Sequence, residues 1–500
     1  MDGASSPRVY RRDASARIRG SKGQLTRDSV IYGVGGSATQ LVYILFVPVF
    51  TRIFRPSDFG VLESLVALNS LLGVAALLGL NSAIFYFLKQ TDDPDRRRHL
   101  AGTALSVAVT AGVVVALVGV LGSGALSQVL LQQPGYGVAL AMACLWVPAN
   151  VAATLALDFL RLDFRARAYS TIGIARGLIA SALGVILAGP AALGVAGLLA
   201  AQAITTIVAA VVALAAARNT WTPALKADAA KSMLAFGLPL ATFGVALWVI
   251  AFSDRFFVIQ FLGTAAAGIY SLAGRGAGVV SLVLFAFEAA WLPFAMDRAQ
   301  EPGHRQVYAR TFLAVGVGLV ALATFLSLFA REALFVLATP DYLPAYSYVG
   351  MLALAVAVYG MGQVVGVGIQ LGQRTRHLIW ISGAGASVNV ALNLALIPRF
   401  GIPGAAAATL GAYVVSTALV FVVAQRAYPV SYPLRSIWVA TAVGATAMLI
   451  GLALDAQSPP GVWQPTTTAA KGLVWIVAAR LLWLVYRRRQ RPVGTRGVAW

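Results

Sequence analysis

The chain has few of the residues on which soluble enzymes depend. Only 11% of its 500 residues are charged, whereas soluble domains average about 25%. The single cysteine, Cys144, excludes an intrachain disulfide and a thiolate metal cluster, and the three histidines have no paired metal-ligand spacing. A GxxxxGK[ST] phosphate loop is missing as well. We therefore predict no catalytic metal, no cofactor and no ATPase site.

Long apolar runs take the place of those residues. Hydrophobic residues make up 59% of the chain, and its mean hydropathy is +0.79. A helix needs about 20 apolar residues to cross a bilayer core, and such runs recur along almost the whole sequence. The sequence predicts an all-α polytopic membrane protein with about fourteen transmembrane helices, at 29–50, 61–88, 100–122, 136–157, 170–188, 194–217, 232–253, 263–290, 309–330, 344–371, 377–397, 402–424, 435–454 and 466–486.

The cations are distributed unevenly between the two sides of this predicted bundle. The chain has 38 Lys and Arg against 18 Asp and Glu, and basic segments at 1–28 and 487–500 flank the spans. The segments predicted to face outward contain only Arg52, Arg55, Arg255, Arg331 and Arg399. Because cytoplasmic loops collect Lys and Arg, both termini are predicted in the cytoplasm. Topology thus explains most of the charge, so contact with lipid headgroups is favoured and no nucleic-acid partner is predicted.

Weak internal repetition divides the spans into two sets. The segment 262–268 is similar to 54–60, and both lie at the outer junction after the first span of a set. The segment 401–404 is similar to 194–197 at almost the same offset. Transporters are commonly built from two such related bundles. We predict two six-helix lobes, an interlobe linker and two additional C-terminal helices, at 29–217, 232–424, 218–231 and 425–486.

The outer loops are too poor in acidic residues for a membrane glycosyltransferase. They are short, and the largest carry only Glu332, Asp341 and Asp455, in different loops. Transfer of a sugar from a lipid carrier usually needs a carboxylate as base or metal ligand. The chain is therefore predicted to move a substrate rather than to transform it.

Arginines inside the spans are candidates for an anion site. An arginine near mid-bilayer costs about 2.5 to 3.5 kcal/mol on insertion scales, and Arg275 is the deepest one. Gly274 and Gly276 flank it and would let a phosphate approach the backbone. Its alternative role is hydrogen bonding between helices. Arg176 is closer to the inner surface, where its side chain could instead reach the lipid headgroups.

Acidic and neutral polar residues in the spans give further candidates. Asp254 and Glu288 could couple transport to an ion gradient, although Asp254 could equally form a local ion pair with Arg255, and Glu288 could partner a neighbouring helix. Amides spaced seven and four residues apart lie on single helical faces, where they suit sugar hydroxyls or bonds between helices. The candidate sugar contacts are these amides and two tyrosines that could also serve ordinary packing, Gln363, Gln370, Asn389, Asn393, Tyr270 and Tyr359.

Three motifs in order resemble those of the Wzx-type oligosaccharide flippases of the multidrug/oligosaccharidyl-lipid/polysaccharide exporter superfamily. They are TRIFRPSDFG at 51–60, DRFFVIQFLG at 254–263 with GIY at 268–270, and GIPGAA at 401–406. The resemblance implies a V-shaped bundle in the bacterial inner membrane. It also implies that the protein moves an undecaprenyl-diphosphate-linked oligosaccharide to the outer leaflet for polysaccharide biosynthesis. Polysaccharide polymerase and chain-length proteins are then candidate partners, besides membrane lipids.

In this scheme Arg275, with Arg255 and Arg176, attracts the diphosphate. The related lipid II flippases have cationic residues in the first span, and 29–50 has none, which disfavours a peptidoglycan precursor as cargo. The main alternative is a cation-coupled drug exporter of the same superfamily. Such an exporter would use an acid of the N-terminal lobe, where the candidates are Asp58, Glu63 and Asp158.

Overall fold

The computed structural model describes residues 42, 45–459 and 462–490, and within these residues it contains helices and no strand. Three short 3-10 helices lie at Leu88–Gln90, Pro134–Tyr136 and Pro340–Ala345. In chain order, the α-helices are α1 (Val47–Ile53), α2 (Pro56–Leu77), α3 (Leu80–Phe87), α4 (Pro94–Leu121), α5 (Ser123–Leu131), α6 (Gly137–Leu145), α7 (Val147–Leu162), α8 (Ala166–Ala188), α9 (Gly194–Ala216), α10 (Ala227–Phe252), α11 (Asp254–Leu262), α12 (Thr264–Arg298), α13 (His304–Leu337), α14 (Tyr346–Leu371), α15 (His377–Phe400), α16 (Ile402–Ala427), α17 (Leu434–Ala456) and α18 (Pro465–Gln490).

Thirteen helical segments of the described chain are long and apolar enough to cross a membrane. They correspond one to one to the last thirteen predicted spans. The prediction of an all-α polytopic membrane protein is therefore confirmed. Most of the first predicted span, 29–50, lies outside the described residues, as do the whole tail 1–28 and residues 491–500 of the C-terminal tail.

Glycines with positive φ join consecutive helices without intervening loops. Gly263, at φ +86°, separates α11 from α12, and Gly401, at φ +65°, separates α15 from α16. Side chains larger than hydrogen are disfavoured at such angles. The chain can therefore reverse direction within one residue at the membrane surface.

The backbones of α2 and α12 touch at the predicted outer end of the bundle. A Cβ atom added to Gly60 would lie 2.0 Å from the carbonyl oxygen of Thr264, and one added to Gly268 would lie 1.9 Å from that of Pro56. Real Cβ atoms do not come so close to other atoms, so both positions require glycine. The two helices close the bundle at this end.

Hydrogen bonds reinforce the closed outer end. The Tyr342 hydroxyl donates to the carbonyl oxygen of Phe54 at 3.0 Å. The Gln132 amide after α5 donates to the Gln260 side chain of α11 at 2.8 Å. Each bond joins the first half of the chain to the second and helps to hold this end of the bundle closed.

At the opposite end, the first part of the predicted linker, 218–231, lies along α4. The backbone N–H of Thr222 donates to the carbonyl oxygen of Arg98 at 3.3 Å, and that of Lys226 donates to the Thr103 hydroxyl at 3.3 Å. The last part of the linker belongs to α10, which begins at Ala227. The segment that joins the halves is therefore fastened to the first one.

Three buried charges and the partly exposed Glu332 fix the last two helices to α13. The Lys471 ammonium of α18 lies 2.6 Å from the Asp455 carboxylate of α17 and 2.9 Å from the Glu332 carboxylate of α13. Arg331 of α13 lies 3.5 Å from Asp455. The Lys471 side chain is fully buried. The cluster holds equal numbers of positive and negative charges, as buried ionic groups require.

Candidate functional site

A cavity of about 500 Å³ lies between helices of the two halves. Its walls come from α2, α7 and α8 of the first half and from α12 of the second. Apolar atoms provide most of the surface of the lining, as in most ligand sites. The polar and aromatic residues of the lining are Asn69, Ser70, Trp146, Asn150, Thr154, Arg176 and Arg275.

Arg275 reaches this cavity from α12 and forms an ion pair with Glu63 of α2. Its guanidinium also lies over the Phe59 ring, 5.4 Å from the ring centre. The side chains are 20% and 9% exposed for Arg275 and Glu63. The pair thus joins the two halves beside the cavity. Because both side chains are largely buried, the local dielectric is low and the attraction between the unlike charges is strong.

Glu63 was not predicted as the partner of Arg275. Sequence reasoning placed it near a span end, among candidates for a drug exporter. One signal was present, because Glu63 is the single acid of the predicted span 61–88 and a deep arginine needs a counter-ion.

Arg176 lines the same cavity from α8. It is partly buried, and in the part of the chain that the structure describes its side chain has no acidic partner. Two of the three arginines predicted at the anion site are thus brought to one cavity. The Glu63 carboxylate balances the charge of Arg275, whereas Arg176 adds an uncompensated positive charge that favours an anionic ligand.

Polar side chains of α2 and α7 meet at the cavity wall. The Asn69 amide donates to the carbonyl oxygen of Ala143 at 2.7 Å, and the Asn150 amide donates to the Asn69 side-chain oxygen at 3.2 Å. Trp146 is 7% exposed, and its indole N–H has no hydrogen-bond partner in the described structure. These residues were not among the predicted sugar contacts.

Asp254 lies in a separate buried cluster of the second half. Its carboxylate accepts hydrogen bonds from the Tyr270 hydroxyl, from the Thr409 hydroxyl at 3.1 Å and from the backbone N–H of Arg255 at 2.9 Å. The Arg255 guanidinium lies over the Phe252 ring, 5.0 Å from its centre. Neither Arg255 nor Tyr270 is among the residues that line the cavity.

Asn389 and Asn393 are fully buried beside this cluster. The Asn389 side-chain oxygen accepts from the Ser253 hydroxyl at 3.1 Å and from the Asn393 amide at 2.9 Å. The Asn389 amide nitrogen and the Asn393 oxygen have no partner among the described residues. In this conformation the two amides connect α15 to the end of α10.

The remaining candidates lie on α12 and α14 of the second half. The Gln363 amide donates to the Tyr359 hydroxyl at 3.1 Å, and Glu288 lies beside both. Gln370 is partly buried. In the described ranges no three His, Cys, Asp or Glu side chains come together as metal ligands. Of all the predicted residues, only Arg176 and Arg275 line the cavity.

Comparisons with known proteins agree with this architecture. A family model described as "Polysaccharide biosynthesis protein" matches residues 49–347. A structure of the lipid II flippase MurJ in an inward closed conformation is 12% identical, covers 92% of this chain and 100% of its own, and has a TM-score of 0.70. No curated protein sequence matches.

Two multidrug transporter structures are similar as well. An inward-facing multidrug resistance MATE family transporter of the MOP superfamily is 15% identical over 77% of this chain and 94% of its own, with a TM-score of 0.61. A mutant of the Vibrio cholerae MATE transporter VcmN is 14% identical over 81% and 96%, with a TM-score of 0.59. At these identities the likeness is one of fold.

Proposed function

Because the chain belongs to the polysaccharide biosynthesis protein family whose model matches residues 49–347, we propose that it moves a lipid-linked oligosaccharide across the membrane. The cargo is a repeat unit on undecaprenyl diphosphate, carried from the inner to the outer leaflet of a bacterial inner membrane by alternating access. Both termini lie in the cytoplasm in this proposal. The product serves the synthesis of a polysaccharide such as O-antigen or exopolysaccharide, and the protein acts as a transporter rather than an enzyme.

The observation that carries the proposal is the cavity between the halves that contains Arg176 and Arg275. A diphosphate and sugar hydroxyls cannot enter hydrocarbon unaided, because each unpaired polar group costs several kcal/mol. Two guanidinium groups in one cavity offer the diphosphate hydrogen bonds and opposite charge. The long lipid chain stays between the lobes, in the bilayer.

Glu63 is the counter-ion of Arg275 in this structure. A diphosphate that enters the cavity competes with Glu63 for the guanidinium. The exchange keeps Arg275 paired before and after binding, but it leaves the Glu63 carboxylate, which is 9% exposed, without its counter-ion. Because an uncompensated buried ion is destabilising, Glu63 opposes binding of the diphosphate. Arg176, with no acid to displace, makes the first contact.

Asp254 is the stronger candidate for ion coupling. Its buried carboxylate is surrounded by hydroxyl groups of Tyr270 and Thr409, which a proton or a metal cation would rearrange. Glu288, Arg255 and the amide and tyrosine candidates of the second half stay proposals for contacts made in other conformations of the transport cycle.

The test is transfer of a fluorescent diphosphate-linked oligosaccharide in proteoliposomes. We expect transfer by the native protein, strong loss in Arg275→Ala and partial retention in Arg275→Lys, which keeps the charge but not the bidentate geometry. Arg480→Ala is the matched control, since Arg480 is exposed on α18, away from the cavity. Unimpaired transfer by Arg275→Ala would contradict the assigned anion site.

A cation-coupled drug exporter is the second candidate, and the buried Glu63 favours it. An acid in the first half that bound a proton or a cationic drug would fit that function. The pairing of Glu63 with Arg275 weakens this reading, because the cavity then holds more positive than negative charge. Drug resistance that depends on Glu63, without any transfer of lipid-linked sugar, would replace the flippase proposal.

A further inference from the structure

An amide and a hydroxyl of α7 face the cavity, together with the aromatic ring of Trp146, which directly precedes α7 and has helical backbone angles. Trp146, Asn150 and Thr154 follow one another at intervals of four residues, so they lie on the same side of the helix. All three line the cavity, together with Arg176 and Arg275. A diphosphate held by the arginines therefore has this polar face within the same cavity.

The Asn150 amide is held in one orientation by its neighbours. Asn69 uses its own N–H to bind the Ala143 carbonyl, so its oxygen faces Asn150 and accepts the Asn150 N–H. Asn150 keeps its side-chain oxygen and a second N–H for a ligand. A fixed acceptor next to a fixed donor matches two adjacent sugar hydroxyls.

Trp146 differs from a tryptophan of similar burial elsewhere in the chain. Trp248 is also 7% exposed, but its indole N–H donates to the carbonyl oxygen of Ala67 at 3.0 Å. The Trp146 N–H is buried and has no partner in the described structure. An unsatisfied buried donor is unfavourable, and a ligand oxygen in the cavity would satisfy it after a small movement of the ring.

We propose that Trp146, Asn150 and Thr154 form a saccharide subsite, which contacts the first sugar of the cargo while Arg176 and Arg275 hold the diphosphate. This inference rests on the proposed function and deepens it. The cavity of about 500 Å³ is within the usual range for a single small ligand. It therefore suits the diphosphate with the adjoining sugar, and the rest of the glycan lies outside this subsite.

The test compares two kinds of soluble probe by calorimetry on the purified full-length protein in lipid nanodiscs. One probe is farnesyl diphosphate, and the others are farnesyl diphosphates that carry glucose, galactose, N-acetylglucosamine or N-acetylgalactosamine. We expect native protein to bind at least one sugar-bearing probe more tightly than the sugar-free one. Asn150→Ala should weaken that probe about tenfold, the loss of about one hydrogen bond, and leave farnesyl diphosphate unchanged. Arg275→Ala should weaken both.

Trp146→Phe keeps the ring and removes the indole N–H, and it should likewise weaken only the sugar-bearing probe. Trp248→Phe is the matched control, because it removes an N–H of equal burial that is already satisfied; we expect no change in the ratio of the two affinities. Thermal unfolding of each variant monitors the fold. If Asn150→Ala does not fold, Thr154→Val, which has nearly the same shape, takes its place in the comparison.

Two results would overturn the subsite while leaving the proposed function intact. One is a native protein that binds every sugar-bearing probe no more tightly than farnesyl diphosphate. The other is that Asn150→Ala and Trp146→Phe weaken both probes equally or weaken neither. Failure of the native protein to bind any of the diphosphates would instead refute the anion site of the proposed function, and the subsite with it.

Discussion

Lys471→Met tests whether the buried charge cluster fastens the last two helices to the bundle. The change keeps most of the apolar stem and removes the ammonium that lies 2.6 Å from Asp455 and 2.9 Å from Glu332. Two carboxylates then share the site with a single cation, Arg331, which is 3.5 Å from Asp455. Glu332, whose side chain is 17% exposed, is then left without a cationic partner.

The expected loss of unfolding free energy is about 3 to 5 kcal/mol, the usual cost of removing one member of a buried ion pair. The Lys471 and Asp455 side chains are 0% and 1% exposed, so solvent screens little of this cost. Lys471→Met with Glu332→Gln restores the charge balance and leaves the pair of Arg331 and Asp455. This double variant should recover at least half of the loss.

Equilibrium unfolding in mixed micelles titrated with sodium dodecyl sulfate measures these differences. Arg480→Met is the control, since Arg480 is exposed on the same helix and its removal should not destabilise the protein. A loss below about 0.5 kcal/mol for Lys471→Met, the range of ordinary surface substitutions, would refute the reasoning. So would a double variant less stable than the single one.

Three other predictions follow from the site and the closed outer end. Glu63→Gln removes the counter-ion of Arg275 and should tighten binding of farnesyl diphosphate about tenfold or more in calorimetry; weaker binding would mean that the acid itself serves the ligand. Gly60→Ala should force the outer end apart and increase labelling, by an impermeant thiol reagent, of a cysteine introduced in place of Ser70 in the cavity wall. Gly124→Ala, whose Cβ would meet open space, should not increase it. Asp254→Asn should abolish the dependence of liposome transport on an imposed proton or sodium gradient; an unchanged dependence would exclude Asp254 as the coupling residue.

The helices could be predicted because hydropathy is a local property of the chain. Each of the thirteen spans in the described chain consists of an apolar run that needs no information from elsewhere. Their ends were less accurate, since α12 continues to Arg298 beyond the predicted end at 290. The additional residues include Pro293, which lies inside the helix, whereas a proline usually ends or kinks a helix.

The site could be predicted only in part. The depth of Arg275 in its helix follows from counting residues, but its pairing with Glu63 depends on how α2 and α12 pack. Likewise, four-residue spacing places Asn389 and Asn393 on one face, where they do bond to each other. Spacing does not tell whether that face meets a cavity or another helix, so partners from distant helices could not be read from the pattern.

The contact of Gly60 with Gly268 has a consequence for the symmetry of the molecule. In the repeat of 208 residues that relates 54–60 to 262–268, these two glycines occupy equivalent positions. If a pseudo-twofold axis relates the two halves, equivalent positions can touch only where they lie beside that axis. That axis then passes between the two glycines, and the halves can pivot about it alike. The same offset makes Ala67 the equivalent of Arg275, so the backbone obeys the symmetry and the charge does not. The two arginines of the cavity, Arg176 and Arg275, thus lie at positions that the repeat does not relate, so the site offered to an anion is asymmetric although the two halves are alike.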